Sequence, residues 1–347
     1  MRFIHCADLH FDSKLNRYLS SEKSAIRNAE LLRTFKNMVD FAKAKGVKVI
    51  IIAGDMFDSK TCKASTRKNV SSVIENASDI TFLYVRGNHD ENTKIFEQKP
   101  QNFIEFEKFS EILIDGVYFG GVNYCTDYLN KIYFTHSPAV CILHGSVISG
   151  EIDLKSLARK NITYLALGDI HKPMIDKAMD MTWSYSGCLE GRGFDETGER
   201  GFNLCEIDGQ DVKVTFVPFA SRKYHALTVD VSGDYSNFYE KVENAIISSI
   251  TSRSKEDLYK ITLTGYVGES DIIDTALLEN SLSRFAFFIK VENETKLKID
   301  LEKYRLEKTS LKSVYIDKVF SSNLSDEDKN KIAMAGILAL RGEDISL

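Results

Sequence analysis

The chain is 347 residues long, with 45 basic against 50 acidic side chains and a formal net charge of -5. That length supports one large domain plus a smaller one with ample core. The near balance of charge excludes a globally basic surface, so any contact with a polyanion has to be local. No apolar run approaches the roughly 20 residues that span a bilayer, and no signal peptide precedes the first apolar run. The six cysteines, Cys6, Cys62, Cys125, Cys141, Cys188 and Cys205, show no CxxC or paired spacing. They read as reduced and mostly buried, the usage expected of a cytoplasmic protein.

Strand and helix patterns alternate as far as about residue 100. Phe3 to Ala7 reads as a strand that runs into Asp8-Leu-His10. A helix is predicted near Glu22 to Ala44, where Leu31, Leu32, Phe35, Val39 and Ala42 share a face and Gly46 stops it. Strand Val47 to Ala53 runs into Gly54-Asp55, a helix follows near Lys63 to Ala77, and strand Ile80 to Val85 precedes Gly87-Asn88-His89-Asp90. The chain then becomes strand-rich. Asp115-Gly116 inside Ile112 to Val122 predicts a tight hairpin, and Asp208-Gly209 between Phe202 to Ile207 and Val212 to Val217 predicts another. Between them, Val140 to Leu143 precedes His144-Gly145, and Tyr164 to Leu167 precedes Gly168-Asp169-Ile170-His171. These elements favour two packed sheets with helices on both faces.

The character changes near Ser221 to Lys223. His225 to Val231, Leu258 to Thr264 and Phe285 to Val291 read as strands, and Phe238 to Ile250 and Ile272 to Leu282 as helices, which makes a small α+β domain. From about Leu301 the tail is helical and charged. Ser325 before Asp326-Glu-Asp is a good N-cap, and Gly342 is a fair stop. Its apolar face of Ile332, Ala335, Ile337, Leu338 and Leu340 has no obvious cover within the tail.

The five polar segments hold four of the seven histidines. Ligands of an α/β sheet bind beyond the carboxyl ends of its strands, so these tips should converge. Carboxylates, an amide oxygen and imidazoles together suit two hard or borderline divalent cations. Two such ions hydrolyse phosphate esters without a covalent intermediate. Asp-x-His alone says little, since residues two apart on a strand share a side. Gly87-Asn88-His89-Asp90 is more specific, because glycine lets the chain turn while the next side chains pass the strand end. All five in this order leave chance polar loops as much the weaker account.

On these motifs the chain resembles the calcineurin-like metallophosphoesterases and, within them, the SbcD-type DNA repair exonucleases of the double-strand-break repair nuclease family. The opening His5-Cys-Ala-Asp-Leu-His10-Phe-Asp-Ser13 is similar to the start of that branch. Tyr185-Ser-Gly-Cys-Leu-Glu-Gly-Arg192, followed by Glu196-Thr-Gly-Glu-Arg-Gly201, resembles its loop after the last metal motif. The likeness reaches from Asp8 to about Gly201 and covers the rest only in outline. It implies an α/β (α+β) four-layer sandwich of two mixed β-sheets flanked by helices over residues 1–222. A smaller α+β capping domain over 223–296, leaning over the active site, and a helical segment over 297–347 complete the outline. In the family that last segment docks on an SMC-like ATPase of the SbcC type, although packing on its own domain explains an amphipathic helix as simply. The implied function is a manganese-dependent DNA exonuclease or endonuclease subunit using two divalent ions, with DNA as substrate, no membrane, and a homodimer left open. A small-molecule phosphodiesterase or phosphatase with the same core, and a weakly active DNA-end scaffold for the ATPase, are the alternatives.

By the same resemblance Asp8, His10 and His171 hold the first metal, Asp55 bridges both, and Asn88, His144 and Asp169 complete the second site. The family pattern at the last motif is Gly-His-x-His, and here aspartate stands at position 169. A carboxylate can still ligate, but it is harder and lacks an imidazole's reach. The other account is that Asp169 hydrogen-bonds a neighbouring loop and leaves the second site weakened. His89 is left to touch the scissile phosphate or protonate the leaving oxygen, with Asp90 holding its ring nitrogen and fixing the tautomer. Arg192 either grips phosphate oxygens or pairs with Glu190 or Glu196. His5 reads as a packed histidine, and His136 and His225 as surface or core groups. Lys60, Lys63, Arg67 and Lys68 either line a DNA track or form a solvated helix face.

Overall fold

The computed structural model describes residues 1–347 apart from 16–17, 59–61, 92–93, 126, 234–236, 269–270, 307–308 and 343–347. In chain order, β1 (Arg2–Cys6) leads to α1 (Ser21–Ala44), β2 (Val49–Ala53), α2 (Ala64–Glu75), β3 (Thr81–Val85) and β4 (Phe103–Glu105). The hairpin β5 (Ser110–Ile114) and β6 (Val117–Gly121) follows, then β7 (Ala139–His144), the single-turn α3 (Leu154–Leu157) and β8 (Tyr164–Gly168). β9 (Met174–Ala178), β10 (Met181–Tyr185), β11 (Gly201–Asp208) and β12 (Asp211–Pro218) complete the part that carries the motifs. The predicted helix stop is visible: after Ala44 the chain passes through Gly46 at φ 66, a left-handed conformation that ends α1. In the β5–β6 hairpin, Asp115 and Gly116 have φ 47 and 80, the paired positive angles of a type I′ turn.

These strands form two mixed sheets of six strands each. The first has the order β12-β11-β1-β2-β3-β4, the second β5-β6-β7-β8-β10-β9. In the first, β1 to β4 run parallel and β11 and β12 are added antiparallel. In the second, β6, β7, β8 and β10 run parallel between the antiparallel edges β5 and β9. Alternation along each strand divides its side chains between two cores. Phe3, Val49, Ile51 and Leu83 meet Phe119, Val140, Ile142 and Tyr164 between the sheets. Ile4, Cys6, Ile50, Ile52 and Phe82 instead face Leu31, Phe35, Met38 and Val39 of α1 and Val70 and Ile74 of α2. The outer face of the second sheet, with Leu143, Leu165 and Trp183, is covered mainly by irregular chain through Tyr128, Ile132, Phe134 and Ile152, and by Leu157 of α3. His5 sits in the inter-sheet layer, fully buried, with Nδ1 2.8 Å from the Tyr164 hydroxyl and Nε2 3.2 Å from the Leu167 carbonyl. Burial pushes its pKa down to about 3, so it is a neutral packing histidine.

The chain resolves into two compact units, Met1–Ala226 with Lys255–Lys260 and Ala286–Phe288, and Leu227–Ser254 with Ile261–Phe285 and Ile289–Leu347. The elements after β12 are β13 (Tyr224–Asp230), α4 (Phe238–Ile250), β14 (Leu258–Thr264), β15 (Tyr266–Val267), α5 (Thr275–Leu282), β16 (Phe288–Asn293) and β17 (Lys296–Leu297). β13, β14 and β16 form a three-stranded sheet, and β15 pairs with β17. The tail consists of α6 (Leu301–Leu306), α7 (Leu311–Phe320) and α8 (Asp326–Arg341). It covers only part of the apolar face that the sequence left open: Ile337 joins Tyr304, Ile316 and Ala333 in one buried cluster. The reason is close helix packing at Gly336, where an added Cβ would stand 2.1 Å from the Tyr315 ring. Ile332 and Leu340 remain 40% and 44% exposed. Among the described residues no helix is long and apolar enough to cross a membrane.

Candidate metal centre

The tips of β1 and β2, and those of β7 and β8, are tied together by their backbones. Asp8 N–H donates to the Gly54 carbonyl at 3.2 Å, His10 N–H to the Asp55 carbonyl at 2.9 Å, and Gly145 N–H to the Gly168 carbonyl at 3.1 Å. To leave the strands and cross over one another, Asp8, His10, Asp55 and Asp169 adopt φ of 52, 45, 50 and 105. Positive φ is uncommon for residues with a side chain and clusters where a site over-determines the backbone. Two glycines make the approach sterically feasible. A Cβ at Gly54 would stand 2.2 Å from His144 Nδ1, and one at Gly168 would stand 1.9 Å from the Ala53 carbonyl oxygen.

The side chains converge as a consequence. His10 Nε2 lies 3.4 Å from His171 Nε2 and 3.5 Å from Asp55 Oδ2. His171 Nε2 is 4.0 Å from Asp8 Oδ1. On the other side of Asp55, His144 Nε2 is 3.5 Å from Asp55 Oδ2, 3.0 Å from Asn88 Oδ1 and 4.0 Å from Asp169 Oδ1. Ligands bonded at about 2.0–2.2 Å to one ion stand roughly 3 Å or more apart, so two adjoining groups that share Asp8, with Asp55 within 3.5 Å of a histidine of each, fit two divalent ions. Asp8, His10 and His171 form one such group, and Asp8, Asp55 and His144 another. His10, Asp55 and His89 form a third, and the His89 ring packs edge-on against His10 at 4.8 Å.

The outward nitrogens are held by acceptors. His144 Nδ1 donates to the Ala53 carbonyl at 2.9 Å and His171 Nδ1 to Glu196 Oε1 at 2.7 Å, which leaves each Nε2 facing the centre. Burial opposes charge on both rings, but Asp55 and Asp8 around His144, and Glu196 and Asp8 around His171, outweigh it and raise both pKa values. Burial raises Asp8 to about 6. His10 is driven well below the ordinary value by burial and then by Arg192 and the neighbouring histidines. Its Nδ1 is buried with no hydrogen-bond partner among the described residues.

Two expectations need correction or refinement. Asp90 does not hold the His89 ring. Its Oδ2 accepts from Met56 N–H at 2.8 Å and the Tyr84 hydroxyl at 2.5 Å, and its Oδ1 accepts from Gly87 N–H at 2.9 Å. It is fully buried because it organises the turn that launches Asn88 and His89. Among the described residues the acid paired with the His89 ring is Asp58, with Oδ1 4.0 Å from Nδ1, while the backbone N–H of His89 donates to Asp55 Oδ1 at 2.9 Å. Arg192 pairs with Glu196 at 2.8 Å, whereas Glu190 is taken by Arg27 at 2.8 Å. Glu190 also accepts from Thr34 Oγ1 and Ser221 N–H, each at 2.6 Å, so α1 anchors the loop that carries Arg192 and Glu196. Sequence reasoning offered Glu196 only as an ion-pair partner and missed its bond to His171. The signal available was its place in the Glu196-Thr-Gly-Glu-Arg-Gly201 motif.

The remaining candidates stand apart. His136 stacks on Tyr118 at 4.9 Å, and His225 bonds Asp257 at 2.9 Å and stacks on Tyr259. Lys63, just before α2, and Lys68 on it are exposed, the Arg67 guanidinium lies 5.8 Å from the centre of the Phe57 ring, and Lys60 is outside the described residues.

A mixed two-sheet sandwich with this donor set at its strand tips defines a metallophosphoesterase. Residues 1–173 match the calcineurin-like phosphoesterase family, and the chain belongs to it. That family consists of metal-dependent hydrolases that use divalent ions. The chain is similar to the uncharacterized metallophosphoesterase YhaO of Bacillus subtilis, with 24% identity over 344 residues covering 87% of this chain and 83% of that protein. It is also similar to the DNA double-strand break repair protein Mre11 of Sulfolobus acidocaldarius, at 22% identity covering 86% of each. Against Mre11 of Methanosarcina acetivorans the identity is 22% over 84% of this chain, which spans 50% of that protein.

Proposed function

We propose that the protein is a two-metal phosphodiesterase that cleaves DNA, a nuclease subunit of a repair assembly working with manganese and an SMC-like ATPase of the SbcC type. The observation that carries this reading is the pair of adjoining ligand groups, Asp8–His10–His171 and Asp8–Asp55–His144, with Asp55 3.5 Å from both His10 and His144 and the half-exposed His89 ring beside them. The ions, when bound, supply Lewis acidity toward phosphate oxygens and a lowered pKa for water. Asp8, His10 and His171 would hold one of them, and Asn88, His144 and Asp169 the other. Asp55 stands between the two groups. His89 is placed to steady the scissile phosphate or to give a proton to the leaving oxygen. Arg192, ion-paired to Glu196 against His171, keeps a cation at the edge of the same centre. The similarity to proteins named for double-strand break repair supports DNA as the substrate, and the apolar Ile332 and Leu340 left exposed on the helical tail support a docking role.

The test is digestion of single- and double-stranded DNA with Mn2+, beside a generic bis-aryl phosphodiester and an Asp55→Asn control. DNA cleavage that the control abolishes is the expected result. Cleavage of the aryl ester but never of DNA would turn the reading toward a small-molecule phosphodiesterase. Cleavage of neither would favour a DNA-end scaffold.

A further inference from the structure

A cavity of about 360 Å³ opens beside the metal centre, between the chain after β1 and the loop that carries Arg192. It is contiguous with the centre on two sides. Arg192 and Glu196 in its wall contact His171, and Asp58 in its wall faces His89. Its floor is aromatic: Phe194 meets Tyr18 edge-to-face at 5.5 Å and Tyr224 at 5.1 Å. In the same wall Ser13 is only 7% exposed, yet its Oγ has no hydrogen-bond partner among the described residues. A buried hydroxyl left without a partner marks a place where a ligand's polar atom is wanted.

We infer that this cavity is a nucleobase subsite that receives the base next to the scissile phosphate. The inference rests on the phosphodiesterase reading and narrows its substrate. Aromatic rings beside a catalytic centre bind bases of any sequence by stacking, and a polar group at the base edge orients them. The volume lies toward the lower end of the roughly 300–1,000 Å³ typical of small-ligand sites, which suits one nucleoside rather than stacked duplex. A base in this cavity therefore has to be out of its helix, so unpaired or frayed strands are the substrates that fill it.

The test separates this subsite from the phosphodiesterase reading. Binding of deoxyadenosine 5′-monophosphate and of deoxyribose 5-phosphate to the metal-free protein is compared by calorimetry. The base should add about 10-fold in affinity, the scale of one stacked base. Phe194→Ala should abolish that advantage, and Ser13→Ala, which is small enough to leave the fold alone, should cut it about 5-fold, the scale of one hydrogen bond. With Mn2+, the ratio of kcat/KM for thymidine 5′-(p-nitrophenyl) phosphate over methyl p-nitrophenyl phosphate should fall in both variants. Equal affinity for the two phosphates in wild type, or an advantage that neither substitution reduces, overturns the subsite. Failure of wild type to cleave either ester while the base advantage persists overturns the phosphodiesterase reading instead.

Discussion

Glu196 Oε1 lies 2.7 Å from Nδ1 of His171, and the same oxygen is 2.8 Å from the Arg192 guanidinium. Burial alone would raise this carboxyl, but His171 and Arg192 hold it well below the usual range, so it stays anionic. An anion at Nδ1 fixes the proton there and makes Nε2 the better electron donor. Glu196→Gln keeps the size and an acceptor but removes the charge. Mn2+ affinity should fall by about 10-fold, within the range that outer partners of ligating histidines contribute. Calorimetric titration checks this, and an unchanged affinity would mean that Glu196 serves Arg192 alone.

His89 carries a second prediction. Its ring is 46% exposed at the side chain, and its backbone, not its imidazole, bonds Asp55. His89→Ala should leave metal occupancy nearly intact and lower turnover by roughly 10²–10⁴, the contribution of a positioned proton donor. Loss of a metal from this variant, read by elemental analysis, would show that the ring is a ligand, as its grouping with His10 and Asp55 permits.

Proton competition gives a third prediction. Burial raises Asp8 to about 6, and His144 and His171 are raised as well by their carboxylate neighbours, so the metal-free centre takes up protons as pH falls toward 6. Ligands bind metal only when deprotonated. A raised carboxyl pKa means that the anion is fully available only above about 6, so Mn2+ affinity should be highest above neutrality and fall steeply between pH 7 and 5. Titrations in buffers of different ionisation enthalpy should also show protons released on binding. Affinity flat across that interval would sink the idea.

The parts of this centre that were legible in sequence are those written in short segments. Strand ends followed by Asp-x-His or Gly-Asn-His-Asp place their side chains through local geometry, and the structure brings Asp8, His10, Asp55, Asn88, His144 and His171 to one patch. What stayed hidden depends on distant chain. Asp90 looked like a partner for its neighbour His89, yet Tyr84 and the amides after Asp55 claim it. Glu196 reaches His171 across 25 residues. The cover of the tail was equally hidden, because Tyr304 and Ile316 sit in short helices whose own patterns are weak.

Asp169 is where the family pattern breaks, and it yields the last prediction. Its N–H donates to both Asp8 oxygens, at 3.1 and 3.2 Å. Its own carboxylate is 32% exposed and stands 4.0 Å from His144 Nε2, on the second side of Asp55. That position allows it to enter the second ion's shell, and an anionic oxygen there should favour Mn2+ or Mg2+ over softer ions relative to an imidazole. Asp169→His should therefore keep the fold and move the preference toward softer metals or raise activity. Asp169→Ala should empty the second site while Asp8, His10 and His171 keep the first partly filled. The donor of the bonds to Asp8 is the backbone N–H, which neither change removes, and a circular dichroism spectrum unchanged from wild type separates a lost site from a collapsed strand tip. If wild type and Asp169→Ala titrate with the same stoichiometry and affinity, Asp169 is not a ligand, and a centre short of one donor makes the scaffold reading the better account.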